Sequence, residues 1–179
     1  MALPDPKPGL VIRYAFLWRE EAAKGREESS KDRPCAVVLT TRKDGDRTQI
    51  VVAPITHTDP GQGAPAIEIP AATKQRLGLD DERSWIITNE INVFEWPGPD
   101  IRPIPGRSRS EDQRFAYGYL GPKTLKSMID GILAQRQRGS LSRVNRDDPA
   151  PLPPRTSRDR TEQRRPGGGR SRDDGDKGR

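Results

Sequence analysis

The chain has one cysteine, Cys35, and one histidine, His57, among its 179 residues. A lone cysteine excludes an internal disulfide framework, and one Cys with one His falls short of the four ligands of a structural zinc site. Apolar residues make up 31% of the chain and aromatic residues 5%, which leaves little material for a large core. No run approaches the roughly 20 apolar residues that span a bilayer. The start Met1-Ala-Leu-Pro-Asp-Pro-Lys7 also lacks the charged-then-apolar order of a signal peptide. Together these absences predict a cytoplasmic protein with no membrane, metal or cofactor, whose chemistry rests on other groups.

Charge is what the chain has in quantity: 32 Lys and Arg against 26 Asp and Glu, a net +6. It is unevenly placed. From Arg136 to Arg179 there are 12 Arg and one Lys against six Asp and one Glu, so residues 1–135 are formally neutral. That C-terminal stretch has four apolar residues (Leu141, Val144, Ala150 and Leu152) and runs such as Arg164-Arg-Pro-Gly-Gly-Gly-Arg170. So little apolar surface does not offset the entropy of ordering, so residues 136–179 are expected to be a disordered basic tail behind one domain, residues 1–135. Such a tail serves either as a sequence-unspecific tether for nucleic acid or as a solubilising extension.

The domain reads mainly as short strands. Leu10–Trp18 is apolar and aromatic, and Cys35–Thr41 and Thr48–Ala53 flank Lys43-Asp-Gly-Asp46, a strong hairpin signal because Asp and Gly tolerate positive φ. Ala66–Ile69, Ser84–Thr88, Val93–Trp96 and Phe115–Leu120 continue the series. Two helices interrupt it: Pro70–Leu77, with Gly78 just past its end, and one beginning at Gly121-Pro122 with Leu125, Met128, Ile129, Ile132 and Leu133 on one stripe. This pattern predicts a mainly β domain with two helices, a small, strongly bent antiparallel barrel with a C-terminal amphipathic helix packed on the sheet.

The polar residues worth notice sit at strand junctions. Between Trp18 and Pro34 only two alanines are apolar, which fits a mobile functional loop or a solvated hairpin tip. Arg33-Pro34 enters a buried strand, which would hold the guanidinium at the barrel rim. Pro54-Ile-Thr-His-Thr58 ends another strand, and Pro54 interrupts its pairing. Thr56 and Thr58 share one face there and His57 takes the other, either as site residues or as an ordinary strand end.

The order of these pieces resembles the MazF/PemK family of type II toxin–antitoxin toxins. The shared elements are Lys7-Pro-Gly9 before a strand, Gly25-Arg-Glu27 in a polar loop, Arg33-Pro-Cys-Ala-Val-Val-Leu39, Val51-Val-Ala-Pro-Ile-Thr56 and Gly118-Tyr-Leu-Gly-Pro122. The resemblance covers about residues 7–135. It implies an SH3-like β-barrel that dimerises with itself, is neutralised by a cognate antitoxin, and cleaves single-stranded RNA as a metal-independent endoribonuclease. It also implies that Arg33 and Thr56 are catalytic, with the 18–32 loop covering substrate.

The residue chemistry fits those roles. In metal-free cleavage the ribose 2′-OH attacks the adjacent phosphate, giving a 2′,3′-cyclic phosphate and a 5′-OH. The protein aligns the reacting atoms and stabilises charge. A permanently charged planar Arg suits the second task. His57 stands where the family commonly has a small Ser, and it serves either proton transfer or the lining of the groove. Trp18 is placed to stack a base, and Arg26, Lys31 and Thr58 to contact the substrate. Two other readings compete: a non-catalytic SH3-like module binding protein or nucleic acid, and a CcdB-like inhibitor of a topoisomerase.

Overall fold

The computed structural model describes residues 3–43, 45–107 and 111–148. In chain order the elements are β1 (Leu10–Tyr14), α1 (Arg19–Ala23), β2 (Arg33–Arg42), β3 (Thr48–Thr56), β4 (Ala66–Glu68), α2 (Ala71–Leu77), β5 (Trp85–Ile87), β6 (Glu90–Trp96), α3 (Glu111–Phe115), β7 (Ala116–Tyr119), α4 (Pro122–Gln137) and β8 (Ser142–Asn145). The described residues form a mainly antiparallel sheet with four helices. Among the described residues, no helix is long and apolar enough to cross a membrane.

The hairpin of β2 and β3 is the spine. It pairs from Cys35 opposite Pro54 to Arg42 opposite Thr48, and Gly45 supplies the positive φ of its turn, +81°. β3 then divides its other edge. Thr48–Val52 pair with β6, whereas Ile55 and Thr56 pair with β5. Pro54 lies where the partner changes, because a residue without an N–H is best placed where the ladder is already broken. β1 joins β2 on one side and β7 on the other, and the remaining neighbour of β6 is β8.

Among the described residues the sheet does not close into a ring: β7 pairs only with β1, and β8 only with β6. It is buried on both faces all the same. Alternation along the strands sends Leu10, Ile12, Tyr14, Cys35, Val37, Ile50, Val52 and Phe94 into one core, and Val11, Ala36, Ala53, Ile55 and Ile86 into a second core under Met128 and Ile132 of α4. The apolar stripe of α4 is narrower than its sequence implies. Met128 and Ile132 are buried, while Leu133, at the stripe's edge, is 45% exposed.

Three expectations need correction. The chain past residue 135 is not all tail, because α4 runs to Gln137 and Ser142–Asn145 forms β8, parallel to β6. Backbone pairing needs no apolar run, and the α4 segment provides the crossover that a parallel pair requires. The rest of that stretch, 149–179, lies outside the described residues. Two further helices exist beyond the two expected: α1 inside the polar loop and α3 ahead of β7. The closed barrel is replaced by an open, two-sided sheet because β6 takes β8, rather than a strand from the far side, as its second partner.

Candidate active site

Arg33 begins β2 and Thr56 ends β3. The β2–β3 ladder ends at Cys35 opposite Pro54, so Arg33 and Thr56 lie just past it at the same end of the hairpin, where Arg33 pairs with Tyr14 and Thr56 with Trp85. Both line a cavity of about 440 Å³, together with Lys31, His57 and Thr58. Five of the sequence-derived site residues are thus gathered into one concavity. The other two, Trp18 and Arg26, do not line it.

Trp18 has another task. Its ring packs against the inner core and meets Phe16 edge-on at 5.0 Å between centroids, while the Arg33 guanidinium lies over it at 4.9 Å. Arg33 thus lies over one face of the ring, and Trp18 supports it through a cation–π contact while also lining a separate cavity with Arg19 and Glu90. Arg33 Nε is buried without a hydrogen-bond partner among the described residues. An unpaired buried donor is costly, and that cost falls on a residue that also lines the cavity. Arg26 lines a different cavity, beside Arg143 and Asp147, and its nearest carboxylate is Glu21 at 3.9 Å.

The loop that carries these residues is tied down rather than merely polar. Buried Asn92 on β6 pairs with the Leu17 backbone both ways, accepting from its N–H at 2.9 Å and donating to its carbonyl at 2.8 Å. Arg19 N–H donates to Glu90 at 2.9 Å, and Glu21 caps α1 by accepting from Trp18 N–H at 3.2 Å. At the far end of the loop Arg146, just past β8, donates to the Glu27 carbonyl at 2.8 Å and pairs with Asp100 at 2.9 Å.

Thr56 Oγ1 accepts the Thr58 backbone N–H at 3.2 Å. That takes one of its two lone pairs and leaves the second lone pair and the hydroxyl proton for a ligand. His57 is held from both sides: Nε2 lies 2.8 Å from Asp80 Oδ2 and Nδ1 lies 3.0 Å from Ser84 Oγ. Since neither ring nitrogen is left over, the geometry favours the groove-lining role for His57, and direct proton transfer requires one of these contacts to open.

Asp80 is also the partner of Lys74, a buried lysine on α2 whose Nζ lies 2.8 Å from Asp80 Oδ1 and also donates to the Glu82 carbonyl. Partial burial pushes the Asp80 carboxyl up, but the hydrogen bond from Lys74 and the charges of His57 and Lys74 outweigh it and hold the group below the ordinary carboxylate value. His57, Asp80 and Glu82 present ligand atoms within 4.8 Å of one another. A divalent cation there would share Asp80 with a buried ammonium, so the chemistry of this set fits a charge-paired wall better than a metal centre. Sequence reading missed Asp80, Ser84 and Tyr117, which also line the cavity. Only the Asp80-Asp-Glu-Arg83 charge run after Gly78 marked this stretch, since its approach to His57 depends on β3 pairing with β5.

No protein-family model and no curated protein matches the chain.

Proposed function

We propose that the chain is a toxin of the MazF/PemK type, a metal-independent endoribonuclease that acts on single-stranded RNA. The observation that carries this reading is that Arg33 and Thr56, at the adjoining ends of β2 and β3, line one cavity. The SH3-like identity of the bent sheet, assembly as a homodimer, neutralisation by a cognate antitoxin and a cytoplasmic location belong to the same proposal.

In the proposed reaction the O2′–phosphorus bond forms as the phosphorus–O5′ bond breaks, with a net transfer of one proton from the 2′-OH to the departing O5′. Arg33 is the charge stabiliser. Its fixed position over Trp18 means that little reorganisation is needed when negative charge builds on the phosphate oxygens. Thr56 donates its hydroxyl to a non-bridging oxygen and orients the phosphate. Lys31, Thr58 and His57 line the path of the flanking nucleotides.

The test is incubation of the purified chain with a long RNA in EDTA beside Arg33→Ala and Thr56→Ala. Wild type is expected to yield fragments with 5′-OH ends, with each variant slowed by about 100-fold or more, the scale of losing one transition-state donor. Absence of cleavage by wild type, or equal cleavage by all three, overturns the proposal. Growth arrest without RNA fragmentation would instead favour topoisomerase inhibition.

A further inference from the structure

A second and larger cavity, of about 830 Å³, opens beside the first. Gly78 and Tyr117 line both, so the two form one groove with these residues at the junction. Arg107 stands there. Its Nη2 donates to the Leu77 carbonyl at 2.9 Å and its Nη1 to the Ala116 carbonyl at 3.3 Å, while the guanidinium lies over the Tyr117 ring at 5.1 Å. A Cβ on Gly78 would come within 2.5 Å of Arg107 Nη2, so the absence of a side chain at Gly78 is what lets the cation settle against the backbone. Gly78 also has φ of +66°, where glycine ends α2 without strain. Two carbonyls, one aromatic face and one bare backbone position therefore fix a permanent charge whose remaining N–H groups are available to a ligand. Further into the same cavity Arg76 and the exposed Tyr119 supply a second cation and a ring that is 46% exposed. Fixed cations with an open aromatic face are the requirements of a single-stranded nucleic acid, whose phosphates and bases alternate along the chain.

We infer that the second cavity is an RNA-binding subsite for nucleotides flanking the cleaved phosphate, with Arg107 contacting a backbone phosphate and Tyr119 stacking a base. This rests on the proposed nuclease reading for the first cavity, and it extends the substrate across the Gly78–Tyr117 junction in one direction.

Binding to uncleavable 2′-O-methyl RNA of mixed sequence, a trinucleotide and a decanucleotide, is measured on the full chain by fluorescence anisotropy across a salt series. Wild type is expected to bind the longer strand more tightly. Arg107→Gln and Tyr119→Ala are each expected to weaken that complex by about tenfold, one charge-assisted contact or one stacked base. Arg107→Gln should also flatten the plot of log affinity against log salt by about 0.7, the value for one phosphate of a single strand, and Arg107→Lys should restore that slope. Tyr119 is exposed and its variant folds regardless, so unchanged binding by Tyr119→Ala together with an unchanged salt slope in Arg107→Gln overturns the inference. Equal binding of a matching DNA strand overturns RNA as the ligand. Arg33-dependent cleavage that persists while Arg107 has no effect removes the subsite alone. Arg107-dependent binding without cleavage removes the nuclease reading alone.

Discussion

Lys74 shows how one side chain couples stability to the site. It is a lysine on the buried side of a seven-residue helix, with 5% of its side chain exposed, and its charge is met by Asp80. Lys74→Ala is expected to cost about 1–2 kcal/mol in urea denaturation, the lower part of the range for a charged hydrogen bond, because Asp80 stays half exposed and screened. The Asp80 carboxyl lies below its unfolded value of about 3.9. The stabilisation is therefore complete above about pH 5 and is lost as pH falls through the folded value. Wild type should weaken over that acid range more steeply than Lys74→Ala, as acid titrations at constant urea would measure. Cys35 offers a contrast. Burial pushes its thiol far above the ordinary range, and the nearby Arg33 charge lowers it only in part. A thiol reagent at pH 8 should label it only as fast as the fold opens, with labelling kinetics as the check.

At the scale of elements, the 18–32 loop depends on two anchors remote in sequence, Asn92 and Arg146. Asn92→Ala removes both hydrogen bonds to Leu17 and leaves buried backbone groups unpaired, so a loss of about 2–3 kcal/mol is expected. Asn92→Asp keeps an acceptor, but when ionised it buries an unpaired charge against the Leu17 carbonyl and should cost at least as much as Asn92→Ala. Hydrogen exchange at residues 17–28 should accelerate in both variants and in Arg146→Ala. The elements themselves were legible to different degrees. The β2–β3 hairpin, α2 and α4 announced themselves through Asp-Gly, terminal Pro and Gly, and helical spacing. Pro54 also signalled the break where β3 changes partner. The strand β8 did not, because Ser142-Arg-Val-Asn145 has one apolar residue and joins the sheet through its backbone. The placing of Arg33 and Thr56 at strand ends was legible, but the bracing of His57 by Asp80 and Ser84 was not, since it depends on where the chain after α2 returns.

For the molecule as a whole, the boundary and the charge move together. Residues 136–148 bring four Arg and two Asp into the described fold, while residues 149–179 hold eight Arg and one Lys against four Asp and one Glu. The domain is therefore basic rather than neutral. A chain ending at Gln135 loses β8 and the Arg146 anchor, and its melting temperature should fall by several degrees, about 2–4 °C for each kcal/mol at this size. One ending at Asp148 keeps every contact described here and should melt with the full chain. Scanning calorimetry of the two truncations separates the outcomes.

The link from Arg146 to the Glu27 carbonyl spans 119 positions of sequence. During synthesis that distance is a delay: at about 5–20 residues per second, roughly 6–24 s pass between the addition of Glu27 and that of its anchor. Through that interval the loop beside Arg33 lacks its C-terminal tie. The 18–32 loop is therefore tied down only once Arg146 has been added, after the strands on either side of it have already been made.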